Sequence, residues 1–317
     1  MSRNESKAAA LRAALRSGNL QTYVGVHDGI TAILADSQRC DGLWLSGLGV
    51  SAAHGVPDAS IVTMTEMLAA AKIADRASGL PVIADCDTGF GDINNVIHMV
   101  RQYEQAGIAA VCIEDKVYPK RNSFTDGQNL VPAAEFAAKL MIAKRAQATA
   151  DFMVFARIES LVAGLGLDDA LSRARIYVKA GADVVLIHSK SEKPDEVIEF
   201  SVGFRREFSD VPLVVIPTTY PGVTKRQLSA AGVSGVIYAN QILRAAVSAA
   251  ESVMKAIDVD GSTGPIEGEL ARVQQLLALL GTAEIGAADR RFAEAAACFR
   301  AESVDDPGIQ SNDEEMR

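Results

Sequence analysis

Eight short apolar runs, each followed by a stretch of helical periodicity, set the narrowest limit on what this chain can fold into. The runs fall at 23–26, 43–46, 81–85, 109–113, 152–158, 184–187, 213–216 and 233–238. The helical patterns between and after them cover 30–37, 64–78, 93–106, 133–148, 168–180, 195–208, 225–231 and 241–257. Their ends carry chemical marks. Thr63 and Glu66 have the spacing of a capping box, and Gly79, Gly107, Gly181 and Gly232 follow the last helical residue of four of them. Strands that are apolar at nearly every position are buried on both faces, which requires a parallel sheet covered by helices. Eight such units predict a closed (β/α)8 TIM barrel, with chemistry at the C-terminal ends of the strands. An open doubly wound sheet is the alternative, disfavoured because no G-x-G-x-x-G follows the first run.

The barrel is expected to occupy 1–260, with an amphipathic helix at 7–17 before the first strand. Helical patterns at 267–280 and 287–301 predict a C-terminal segment, 261–301, packing on the barrel or on a neighbouring subunit. The acidic stretch 302–317 has little to bury and is expected to be a flexible tail. At 317 residues and 49% hydrophobic, one core suffices for the barrel. The net charge of −9 argues against a nucleic-acid or anionic-membrane partner, so an anionic ligand must be held by a local cluster. Cys40, Cys86, Cys112 and Cys298 show no CxxC spacing and read as reduced packing residues. With neither a bilayer-length apolar stretch nor an export signal, a cytoplasmic location is expected.

In a barrel of this kind the residues just past each strand carry function, and here they are polar. The third run ends Asp85-Cys86-Asp87-Thr88-Gly89 and the fourth leads into Glu114. Strand alternation points Asp85 and Asp87 the same way, and two like charges that close are costly without a cation. With Glu114 they form an oxygen-rich set suited to Mg2+ or Mn2+, held partly through waters. The following loop carries Lys116, Lys120, Asn122 and Ser123, while Arg157 with Glu159 ends the fifth strand and His188-Ser189 the sixth. Lys120, Asn122, Arg157 and His188 offer donors from separate loops that converge on one anion opposite the metal. Residues 115–131, with Gly127 as a hinge, are long enough to form a lid. By itself Ser46-Gly47-Leu48-Gly49 reads as a plain turn, Asp58 as a turn or cap residue, and His27, His54 and His98 as structural.

From about residue 11 to about residue 250 the chain resembles the phosphoenolpyruvate mutase and phosphonopyruvate hydrolase branch of the isocitrate lyase superfamily. The resemblance rests on Trp44-x-Ser46-Gly47-Leu48, Asp58, Asp85-x-Asp87-Thr88-Gly89, Glu114-Asp115-Lys116 with Pro119-Lys120-x-Asn122-Ser123, Ala156-Arg157-x-Glu159 and His188-Ser189-Lys190. It implies Mg2+ on Asp85, Asp87 and Glu114. It also implies substrate contacts from Trp44, Ser46, Gly47, Leu48, Asn122, Ser123, Arg157 and His188, catalytic parts for Asp58, Lys120, Asn122, Arg157 and His188, and a homotetramer. The small phospho-acid substrate it implies is phosphoenolpyruvate, rearranged to phosphonopyruvate for phosphonate biosynthesis.

The cysteine-bearing acid loop of the lyases is missing, which argues against isocitrate-type cleavage. Asn122-Ser123 is similar to mutases, whereas hydrolases tend to carry threonine in place of the asparagine. Val56-Pro57-Asp58-Ala59 is similar to hydrolases, and His27-Asp28 departs from the His-Asn of relatives. Phosphonopyruvate hydrolase is therefore the alternative, and a 2-oxo-acid lyase or oxaloacetate decarboxylase the second.

Overall fold

The computed structural model describes residues 6–304. Its elements run α1 Lys7–Arg16, β1 Gln21–Val26, α2 Gly29–Ser37, β2 Gly42–Leu45, α3 Gly47–Ala53, α4 Met64–Ala77, β3 Val82–Asp85, α5 Ile93–Gln105, β4 Ala110–Glu114 and α6 Ala133–Ala146. They continue β5 Met153–Ile158, α7 Gly166–Lys179, β6 Val184–Ile187, α8 Asp195–Glu207, β7 Leu213–Val215, α9 Lys225–Ala230, β8 Gly235–Tyr238, α10 Gln241–Asp260, α11 Val273–Leu279 and α12 Ala283–Val304. The strands close into a barrel in sequence order, every pair parallel, with β1 meeting β8. The expected (β/α)8 architecture is the observed one.

Alternation along the strands sorts the core into two shells. Val154, Ala156 and Ile158 of β5 face outward and pack with Phe136, Ala143 and Tyr177 of the surrounding helices. Met153 and Phe155 face the barrel axis, with Trp44, Ile83, Cys112, Leu186, Val214 and Ile237. Leu11 and Leu15 of α1 belong to this inner shell and are almost fully buried, each contributing roughly 1.5–3 kcal/mol. Where β1 meets β8, a side chain at Gly25 would place its Cβ 1.9 Å from the carbonyl oxygen of Ala239, so only glycine allows the seam to shut.

The capping box of Thr63 and Glu66 starts α4, and Gly107, Gly181 and Gly232 adopt φ of 83°, 99° and 83° after their helices. Gly79 is different. Its φ is not positive, because Ser78 leaves α4 in extended conformation, and the Gly79 N–H donates to Asp36 instead.

By its contacts the chain divides into two compact units, one ending at Ser252 and one beginning at Val253, with the division inside α10. The helix expected at 267–280 is a 3-10 turn, Gly264–Glu269, followed by the separate α11. Pro265 and Gly268 oppose a continuous helix there. Of the expected tail, 302–304 end α12 and 305–317 lie outside the described residues. No helix among the described residues is long and apolar enough to cross a membrane.

Candidate active site

The alternation that fills the barrel also builds the site. Continuing each strand's inward series one step past its apolar members reaches Ser46 after Trp44, Asp85 after Ile83, Glu114 after Cys112, Arg157 after Phe155, His188 after Leu186 and Thr218 after Ile216. Ser46, Asp85, Arg157, His188 and Thr218 line one cleft at the C-terminal end of the barrel, joined by Trp44, Leu48, Asp58, Lys120, Asn122, Ser123 and Asn240. Glu114 lies beneath its floor, 1% exposed, and Asp87 opens onto a small neighbouring pocket with Gly47 and Ser60.

Two expectations need correction. The stretch from Ser46 to Gly49 is the start of α3, not a plain turn. Ser46 accepts a hydrogen bond from the Gly49 N–H at 3.1 Å, which leaves the first amides of the helix, Gly47 and Leu48, without intrahelical partners. Asp85 and Asp87 do converge, but not by strand alternation. β3 ends at Asp85 and Asp87 turns into the left-handed region at φ 51°. Its carbonyl then accepts from Glu114 N at 2.8 Å, and the two aspartates meet beside Gly47, where a Cβ would lie 3.2 and 3.5 Å from their oxygens.

The 115–131 segment reaches across the cleft. Its base is an antiparallel bridge, Lys116 with Leu130, supported by Val117 N to Asn129 O at 2.9 Å. Gly127 has φ 76°, with the Arg121 guanidinium packed where a side chain would stand. From this segment Lys120 places its ammonium 2.8 Å from both Asp58 and Asp87, and Asn122 donates to Asp58 at 2.7 Å. Asp58 is thus a cleft residue rather than a cap. Phe124 meets the His188 ring edge-on at 6.3 Å. Ser60 escaped sequence reading: at φ 57° it donates to Asp87 and accepts from the Lys120 N–H, both at 3.2 Å.

Burial and charge pull against each other throughout. Burial raises the Asp58 carboxyl, but Lys120 and Asn122 outweigh it and hold it below the usual range. Burial lowers Lys120, but Asp87, Asp85, Asp58 and Glu114 outweigh it and keep it well above normal. Asp87 is raised by burial. Glu114 is pushed up to about 7 by burial, against the pull of Lys116 and Arg157, and neither of its oxygens accepts a hydrogen bond. His188 is lowered by burial, so the neutral ring is favoured. Its Nδ1 lies 2.9 Å from Arg157 Nη2 and 3.0 Å from Glu159 Oε1, and Arg157 can only donate. Accepting from Arg157 leaves the ring proton on Nε2.

Among the described residues no three His, Cys, Asp or Glu side chains form a ready-made direct metal cage. The chemistry nevertheless fits a hydrated divalent ion. Asp58, Asp85, Asp87, Glu114 and Glu159 face three permanent cations, Lys116, Lys120 and Arg157, an excess of two negative charges. The Glu114 oxygens, which accept no hydrogen bond, are hard acceptors of the kind that hold Mg2+ through its waters.

Residues 11–258 match the family model described as phosphoenolpyruvate phosphomutase. The chain belongs to this family. It is 41% identical over 290 residues to the phosphonopyruvate hydrolase of Variovorax sp. (strain Pal2), covering 90% of this chain and 99% of that one. The crystal structure of phosphoenolpyruvate phosphomutase from Streptomyces platensis subsp. rosaceus superposes with a TM-score of 0.87 at 47% identity, covering 90% and 99% of the two chains. A phosphonopyruvate hydrolase solved with oxalate and Mg2+ gives 0.84 at 40% identity, covering 91% and 99%. The chain is therefore an enzyme of the phosphoenolpyruvate mutase and isocitrate lyase superfamily, and both activities occur among relatives of similar identity.

Proposed function

We propose that the protein is a phosphoenolpyruvate phosphomutase, an isomerase that moves a phosphoryl group between the enol oxygen and the methylene carbon of pyruvate. The observation that carries this reading is the Asn122 amide, held 2.7 Å from Asp58 on a lid that also brings Lys120 and Ser123 to the cleft. In the direction of phosphonopyruvate, the P–O bond breaks and a P–C bond forms. No water is consumed and no proton is lost. The migrating group is metaphosphate-like beside a pyruvate enolate, so two anions must be stabilised a short distance apart.

Arg157, Asn122, Lys120 and the Nε2–H of His188 bind the phosphoryl oxygens, with Ser123 beside them. Ser46 and the free amides of Gly47 and Leu48, against the wall of Trp44, orient the pyruvyl carboxylate. Asp85 would hold Mg2+ directly, with Asp87 and Glu114 acting through water. When bound, the ion supplies positive charge to the enolate side. The lid excludes water, which would otherwise capture the phosphoryl group.

Incubation with phosphonopyruvate, followed by phosphorus NMR, tests the reading. Phosphoenolpyruvate as product supports it, whereas pyruvate and phosphate as sole products would replace it with the hydrolase. That second reading is favoured by the Val56-Pro57-Asp58-Ala59 segment and the hydrolase relative. Carbon dioxide from oxaloacetate would indicate the decarboxylase instead. The mutase reading places the enzyme in cytoplasmic phosphonate biosynthesis. The assembly proposed with it is a homotetramer, supported by Val273, Leu276 and Leu277 exposed on α11, and light scattering at four chain masses checks it.

A further inference from the structure

Glu159 is fully buried just past β5, at the inward position that follows Arg157. Its two oxygens serve different parts of the molecule. Oε1 accepts from Arg157 Nε and lies 3.0 Å from His188 Nδ1, both on barrel strand ends. Oε2 accepts from Ser123 Oγ at 3.0 Å and lies 3.2 Å from the Lys116 ammonium, both on the lid. Ser123 is bound from the other side too, by Arg157 Nη2 at 3.2 Å and by Lys116 at 2.7 Å. One carboxylate thus ties Ser123 and Lys116 of the lid to Arg157 of the anion-binding wall.

The geometry points to Glu159 as a positioning residue that couples lid closure to the phosphoryl grip. Resting on the phosphoryl-transfer reading, the inference adds what sets the grip. The carboxylate touches no substrate; through one oxygen it fixes Arg157, whose Nη2 in turn donates to His188 Nδ1, and through the other it docks the lid. Three donors, Arg157 Nε, Ser123 Oγ and the Lys116 ammonium, converge on its two oxygens, and only an ionised carboxylate accepts from all of them. Burial opposes that ionisation, but Arg157 and Lys116 together hold the group well below the ordinary carboxylate range. An amide at this position turns one arm from acceptor into donor, facing either Arg157 or the lid groups Ser123 and Lys116. The consequence is specific: either the grip loses its orientation or the lid loses its dock.

The test compares Glu159→Gln and Glu159→Asp with wild type, using phosphonopyruvate in phosphorus NMR and 15N NMR of the histidine side chains. Glu159→Gln is expected to lower kcat roughly 10–100-fold, as outer-shell partners do, with KM little changed. Its share of pyruvate and phosphate among products rises, the His188 tautomer signal shifts, and Glu159→Asp recovers part of the loss. Wild-type kcat in folded Glu159→Gln would overturn the inference. So would a loss that merely tracks the folded fraction while the His188 signal stays put. If Glu159→Gln fails to fold, Ser123→Ala and Lys116→Met test the lid half: each should raise the hydrolytic share, and an unchanged share in both would sink the coupling. Should wild type leave phosphonopyruvate intact, the functional reading fails, and the His188 signal still decides the positioning role.

Discussion

Glu114 and Asp115 are neighbours in sequence, both buried, and they point to opposite sides of the sheet. Asp115 faces outward under α7, where Tyr177 donates to it at 2.7 Å, Arg173 at 3.2 Å and the Glu159 N–H at 3.0 Å. Arg173 also binds the Val131 carbonyl at 2.9 Å, so this cluster fixes the far end of the lid. Glu114 faces inward and accepts no hydrogen bond. Burial raises both carboxyls, Glu114 to about 7 and Asp115 to about 6. The difference lies in what compensates them: one acid is saturated by the fold, the other is kept short of donors. A saturated buried acid is scaffold, while an unsaturated one beneath a cleft is set aside for a ligand.

The sharpest way to break this contrast is Asp115→Ala. It leaves the Arg173 guanidinium short of its buried partner, expected to cost about 3–5 kcal/mol. At a few degrees per kcal/mol, thermal melting should fall by roughly 10 °C. Activity per folded molecule should fall far less than in Glu114→Gln. Glu114→Gln should do the reverse, lowering kcat about 10²–10³-fold with melting little changed, since no hydrogen bond to the fold is lost. If both variants lose stability equally, the distinction is wrong.

Smaller effects come from protons. A carboxyl raised by folding favours the native state below its unfolded pKa, and that contribution is lost as pH rises through the folded value. For Asp115 the window runs from 3.8 to about 6, roughly 3 kcal/mol for a shift of about two units. Urea unfolding of wild type should therefore lose stability across that window relative to Asp115→Asn; parallel curves would contradict the assignment. The mildest effect concerns the proposed Mg2+ site. Its ion must compete with the Glu114 proton, so calorimetric affinity should rise up to about tenfold per pH unit below about 7 and then level off. Glu114→Gln should flatten that slope.

The βα alternation was legible because period and apolarity are local properties of the sequence, and so were the acids and bases at strand ends. What escaped was long-range or conformational. The ion pairs of Lys120 span 62 positions to Asp58 and 33 to Asp87, and no window contains them. α3 is short and glycine-rich, so its pattern resembles a turn. The φ of 51° at Asp87 carries no signature in an aspartate-rich turn. Glu159 was visible in one respect: two places after Arg157, it shares the inward parity of its strand. Its joint role needed Ser123 and Lys116 brought from the lid beside Arg157.

The contact of Gly25 with Ala239 closes the ring between the earliest and latest strands. During synthesis β1 therefore waits for a partner more than 200 residues downstream, with one side of its backbone unpaired. A ribosome stalled before Tyr238 would hold an open, sticky edge, the kind of species that chaperones intercept.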